Sequence, residues 1–254
     1  MIGHIDTGVA DHAELAGAVD LGRGYDFVDD DPDPTDPLED GFGPENPGHG
    51  IGTASVAVSR AAGGVTGAAP AATLVPIRAI RSVIVVEGSR IAQAIDHARR
   101  SGCQVVTMSL GGLPSLAVRA ALRRAVEDQV LVVAAAGNCV GAVVWPGAFD
   151  DCVGVAGVNI ERKPWRGSSR GPEVDISAPA ENVWRAQRRR PADPLTGIGG
   201  GEGTSFATAI VAGVAALWLA HHGRDALIAS LPAGTTLQSR FLALLRASAS
   251  RPPG

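Results

Sequence analysis

An α/β fold of three layers, with helices on both faces of a mostly parallel central sheet, is what this sequence predicts. Three observations point there. Short runs recur that are apolar at almost every position, as strands buried on both faces are. Segments with helical patterning separate them, which is the alternation of a parallel sheet covered on both sides. A chain of 254 residues with 45% hydrophobic content can bury one sizeable core, so one domain across residues 1–254 is expected.

Taken in chain order, Ile2–Ile5 reads as the first strand and ends at Asp6-Thr7-Gly8. The Pro/Asp-rich stretch Asp29–Asp40 is a long loop. His49–Arg60 is a helix, Leu74–Ile77 a strand, Ser89–Ser101 a helix and Val105–Met108 a strand. Ser115–Gln129 is a helix, followed by strands at Val130–Ala135 and Val153–Val158. The Arg/Pro segment 185–196 reads as a loop, and no strand clearly precedes the glycines that follow it. Ser205–Ala220 is a helix. Phe206 to Leu219 is almost wholly apolar or small, so this helix must be buried. The tail Arg251-Pro252-Pro253-Gly254 is expected to fray.

Composition excludes several classes. Gly (33) and Pro (17) are frequent and aromatics few (4%), which suits tight strand–helix turns and a small-residue core. Ala, Val, Leu and Ile dominate, so disorder is excluded. The net charge of −4 hides an asymmetry: residues 1–60 carry 13 acidic and 2 basic side chains, the remainder 13 acidic and 20 basic. The run Arg188-Arg189-Arg190 is too short to argue for a nucleic-acid partner and reads as an exposed loop. No stretch is taken as long and apolar enough for a membrane span. No leader precedes the first strand, so the expectation is a cytoplasmic protein or a chain lacking its N-terminal part; the compartment stays open. Cys103 reads as a small hydrophobe. Cys139 and Cys152 flank a Gly/Pro-containing loop, and pairing between them stays open. None has a motif suited to a nucleophile.

Chemistry is carried by Asp6, His49 and Ser205, separated by 43 and 156 residues. Gly199-Gly200-Gly201-Glu202-Gly203-Thr204-Ser205 lets the backbone turn sharply into a helix. Ser205 then sits where free N–H groups and the helix dipole favour developing negative charge. A serine alone there would be a cap, and a phosphate loop would need Lys where Thr204 stands. A serine nucleophile needs a general base, and His49, followed by Gly50, Gly52, Thr53, Ala54 and Ser55, leaves room for substrate over its ring. His12 and His97 read as ordinary loop and helix residues, His221 and His222 as surface, and His4 as packed. Asp6, at the carboxyl end of its strand, lies where open α/β sheets place their sites. It would hold the imidazole in one tautomer. Asp-Thr-Gly also serves aspartic proteases, but those need two copies and this chain has one.

In this order, the motifs resemble those of the subtilases, the subtilisin-like serine peptidases, from Ile2 to about Leu219. Gly203-Thr204-Ser205-Phe206-Ala207 with Val211-Ala212-Gly213 is similar to the family's serine signature, with Ala209 where the family usually has Pro. His49-Gly50 resembles its histidine motif, with Ile51-Gly52 replacing the usual residues. The resemblance implies a serine endopeptidase working through an acyl-enzyme on Ser205. It implies that Asn138, in Ala134-Ala135-Ala136-Gly137-Asn138, donates to the oxyanion. It further implies that Ser109, Leu110 and Gly111 line the substrate, with Gly111 and Gly112 free to pair with its backbone. Ala136 and Gly137 would form the opposite wall of a pocket for a medium or large apolar residue. Ser168–Pro179 resembles a segment with a structural role. Subtilases usually carry a further N-terminal segment and a propeptide, neither of which is in this chain.

No cofactor is expected for catalysis. Asp29, Asp31 and Asp33 alternate in a loop stiffened by Pro32 and Pro34, which reads as a solvated loop or as a structural Ca²⁺ site. The spacing is not that of an EF-hand. Partners are expected to be peptide or protein substrates. Two other functions stay open: a processing transpeptidase or macrocyclase, in which a peptide amine replaces water, and an inactive binding protein that keeps the fold.

Overall fold

Seven parallel strands cross the centre of the molecule in the computed structural model, which describes residues 1–39 and 45–250. The end of the Asp29–Asp40 loop and the tail expected to fray lie outside the described residues. In chain order the elements begin with β1 (Ile2–Asp6), β2 (Tyr25–Asp26), α1 (His49–Val58), β3 (Leu74–Arg78), β4 (Ile84–Val85) and α2 (Ser89–Arg100). Then come β5 (Val105–Met108), β6 (Gly111–Gly112), α3 (Leu116–Glu127), β7 (Leu131–Ala135), β8 (Val153–Val158) and β9 (Ile176–Pro179). The chain closes with β10 (Val183–Ala186), β11 (Ile198–Gly201), α4 (Thr204–His222), α5 (Arg224–Ala229) and α6 (Leu237–Ser248). The main sheet has the order β2-β3-β1-β5-β7-β8-β9, and each pairing in it is parallel. The αβα architecture is the expected one.

Strand period two sorts the core into halves. Ile2 of β1, Val105 of β5 and Leu131 and Val133 of β7 face α1 and α4. Ile5, Val106, Met108 and Val132 face α2 and α3, where Ile91, Ile95 and Leu122 meet them. Each fully buried Ile or Leu in these layers contributes roughly 1.5–3 kcal/mol of transfer free energy. The same alternation sends His4 and Asp6 to one face, against α1.

Each expected strand and helix is found within two residues of its expected ends. Corrections concern what lay between. The helix Thr204–His222 is, by length and composition, apolar enough to cross a membrane, contrary to expectation, yet most of it is buried as the central core helix. The segment read as a loop from residue 185 begins inside β10, and a strand does precede Ser205: β10 and β11 form an antiparallel hairpin. Both escaped notice because β11 is glycine-rich and β10 leaves Trp184 exposed, so neither shows an apolar period. Beyond the nucleophile helix, α6 buries Leu237 and Phe241 completely. Its Gln238 side chain accepts from the Val132 N–H at 3.0 Å and donates to the Val132 carbonyl at 3.1 Å. This closes β7 where β8, which joins at Val133, has not yet reached it.

Candidate active site

The carboxyl edge of the sheet gathers the chemistry. Asp6 ends β1, His49 opens α1, Ser205 is the second residue of α4, and Asn138 follows β7. Helix α1 reaches Asp6 because Gly50 lets it press on the turn after β1: a Cβ on Gly50 would fall 2.0 Å from the Gly8 carbonyl oxygen. The chain swings from β11 into α4 through Gly203, whose φ of 149° is a conformation for glycine.

His49 Nδ1 lies 2.7 Å from Asp6 Oδ1, and His49 Nε2 lies 3.2 Å from Ser205 Oγ. Asp6 is wholly buried and also accepts from the Thr7 N–H at 2.8 Å and from Thr53 Oγ1 at 3.1 Å. Burial works to raise its pKa. The charge and hydrogen bond of His49, helped by His4 and the Thr7 N–H, outweigh burial and hold the carboxyl below its ordinary range. An ionised Asp6 requires the proton of neutral His49 on Nδ1, which leaves Nε2 to accept from the Ser205 hydroxyl. His4 sits beneath this line as a packed residue. Its Nε2 is 2.8 Å from Thr53 Oγ1 and 3.6 Å from Asp6 Oδ2, and its Nδ1 is buried without a partner.

Asn138 is fixed by its oxygen, which accepts from the Thr204 N–H and hydroxyl, both at 2.9 Å. Its amino group is thereby left for a ligand, beside the first-turn N–H of Ser205. Ser109 is buried and donates to the Ser205 carbonyl at 2.9 Å, so it supports the nucleophile turn. Leu110 and Ala136 are buried and Gly137 half-buried. The expected substrate strand needs correction. The Gly111 N–H is donated to Val83, β4 pairs with β6, and Gly112 pairs with Trp145 on its other side, so the chain fills its own edge. Beside the expected apolar pocket stands a side chain that the motifs did not include. Val144 lies beside both Gly111 and Gly137, its Cγ2 methyl 2.2 Å and 2.9 Å from where their Cβ atoms would be. Val144 belongs to a loop whose position sequence reasoning had no means to place.

The three candidate metal ligands do not converge. Asp29 is held by Arg78 and Arg81. Asp31 and Asp33 turn back on their own loop, accepting from the N–H groups of Asp33 and Thr35. Among the described residues no cluster of three or more His, Cys, Asp or Glu side chains is placed to hold a metal. The cysteines are free thiols. Burial pushes the Cys103 pKa up to about 11 and that of Cys152 well above its usual value; Cys139 is exposed.

One functional candidate was missed. Arg185 of β10 reaches into the cleft beside His49, over the ring of Phe206, with its guanidinium carbon 5.1 Å from the ring centre. Two cavities of about 450 and 510 Å³ adjoin here, both lined by His49, Arg185, Arg189 and Phe206. Arg189 and Arg190, read as a plain exposed loop, are part of this wall. The available signal was Gly52: its missing side chain makes room for Arg185, whereas the small residues after His49 read only as space for substrate.

A sequence profile of the subtilase family matches residues 1–232. The chain belongs to the subtilase family. It is 33% identical over 227 residues to thermitase from Thermoactinomyces vulgaris, covering 87% of this chain and 75% of that one. It is 32% identical over 226 residues to subtilisin E from Bacillus subtilis, covering 86% of this chain and 55% of that one. Among solved structures it resembles a protease from Pseudoalteromonas arctica, with a TM-score of 0.84 and 25% identity over 100% of this chain and 84% of the other. It also resembles a cold-adapted subtilisin-like serine proteinase (TM-score 0.78, 28% identity, covering 98% and 81%) and the prenylagaramide maturation protease PagA (0.73, 26%, 98% and 83%). By family this subtilase is a serine-type endopeptidase, a hydrolase.

Proposed function

We propose that this subtilase hydrolyses peptide bonds through an acyl-enzyme on Ser205. The observation that carries the reading is the unbroken line from Asp6 through His49 to Ser205, at 2.7 and 3.2 Å. His49 Nε2 takes the hydroxyl proton as Oγ attacks the carbonyl carbon. The oxyanion is received by the Asn138 amino group and the Ser205 N–H, donors already fixed in place. His49 then returns the proton to the leaving amine, and the acyl-enzyme forms. Water, deprotonated by the same imidazole, attacks the ester and releases the acid. Asp6 stays ionised throughout and steadies the imidazolium. The complete line, together with the anchored Asn138, supports a catalyst over a binding protein that keeps the fold. Val144 favours a small side chain before the cleaved bond.

Intact-mass analysis after a fluorophosphonate probe tests the chemistry. One adduct on the native chain, absent from Ser205→Ala, is expected. A folded native chain that takes no adduct refutes an activated serine. Cleavage of a peptide library should then show Ala, Ser or Gly before the bond, and a preference for Phe or Leu there would remove the role given to Val144.

A further inference from the structure

Arg185 is hard to explain as a device for stability. Its stem threads between α1 and β11, where a Cβ on Gly201 would lie 2.3 Å from its Nε and one on Gly52 3.1 Å from its Cδ. Among the described residues its side chain makes one hydrogen bond, to the carbonyl of Ala186 at 3.1 Å, and its Nε is buried without a partner there. It forms no ion pair with any acidic residue among those described. Burial first, and then the nearby charge of Arg189, lower its pKa. A half-buried cation without an anion adds nothing to the stability of a fold. Glu202, Asp193 and Glu45 line the same cleft, but Asp193 is engaged by Arg190 and by the N–H groups of Arg189 and Arg190.

The cleft's position says which part of a peptide would meet this cation. Its walls include His49 and Phe206, and neither cavity touches Ser109, Leu110, Gly111, Ala136 or Gly137. The imidazole must hand its proton to the departing amine, so the chain beyond the cleaved bond leaves past His49. Resting on the peptidase reading, we propose that Arg185, with Arg189 beside it, forms a carboxylate-binding subsite on the leaving side of Ser205. It selects peptides that present a carboxylate just past the cleaved bond. An Asp or Glu side chain and a free chain terminus both offer that group. A guanidinium over an aromatic ring is suited to receive it.

The test compares acetylated peptides that differ only after the bond, Ala-Ala-Ala-Glu-Ala-amide against Ala-Ala-Ala-Gln-Ala-amide, and Ala-Ala-Ala-Ala acid against its amide. The first pair reads a side-chain carboxylate and the second a terminal one. One charge-assisted hydrogen bond predicts at least about a tenfold advantage in kcat/KM for the acid. Arg185→Met should bring the ratio to about one, and Arg189→Ala should lower it partway. The same pairs titrated calorimetrically into Ser205→Ala should show the preference in Kd. A ratio near one in the native chain, or a ratio unmoved by both variants, overturns the subsite. Fluorophosphonate labelling without acid preference removes the subsite and keeps the peptidase. Acid preference in Ser205→Ala without labelling of the native chain keeps the subsite and removes the peptidase.

Discussion

His4 is the residue on which acid stability turns. It lies two positions before Asp6 on the same face of β1, wholly enclosed, with Nε2 committed to Thr53 and Nδ1 to nothing. Burial, set against the pull of Asp6, lowers its pKa from the ordinary 6.5. The unfolded chain therefore takes up a proton near pH 6.5 while the folded chain stays neutral to lower pH. In that window the unfolded state binds more protons, so stability falls as pH drops. Urea midpoints at pH 7.5 and pH 5 should fall further in the native chain than in His4→Gln. Equal falls would show that His4 does not set the acid response. Asp6 acts in the same direction at lower pH: its depressed pKa contributes stability that is present above the usual carboxylate range and is lost as pH drops through its folded value.

At the scale of elements, the C-terminal helix is tied to the sheet by one side chain. Gln238 is buried and supplies both hydrogen bonds of Val132. Gln238→Ala should cost about 2–4 kcal/mol, since two backbone groups lose their partners. A loss under 1 kcal/mol in denaturant titration of the alanine variant would mean that water takes over the edge. Nothing in the sequence pattern marked this contact, because a lone Gln in an amphipathic helix looks like any surface residue. The strands and the triad were legible for the contrary reason. Each triad residue sits at a chain feature with a local signature: Asp6 at a strand end before Thr7-Gly8, His49 before Gly50, Ser205 after Gly203. Arg185 and Val144 have no such signature. Arg185 depends on Gly52, far from it in sequence, and Val144 on Gly111 and Gly137 and on a loop whose path no period encodes.

Over the whole molecule, the charge asymmetry resolves into two different structures. Part of the acidic first quarter folds back on cations of its own chain: the buried Arg78 pairs with Asp26 and Asp29, and Arg81 with Asp29. Arg78→Met should therefore lower stability by about 3–5 kcal/mol, because Asp26 is left buried and uncompensated. Thermal melts with and without a chelator should show the same loss. A loss seen only with the chelator would return a cation to this loop. The basic excess of the later chain does not fold back in this way at Arg185, and it faces the cleft instead.

The tie between Gln238 and Val132 also has a meaning in time. A ribosome makes the chain from its first residue onward, so Asp6 and His49 exist long before Ser205, and Ser205 before Gln238. The middle of the sheet cannot be sealed at Val132 until the last of these has emerged. The nucleophile is thus born into a body whose central strand is still open along one edge, and the final helix, which bears no part of the chemistry, is what shuts it.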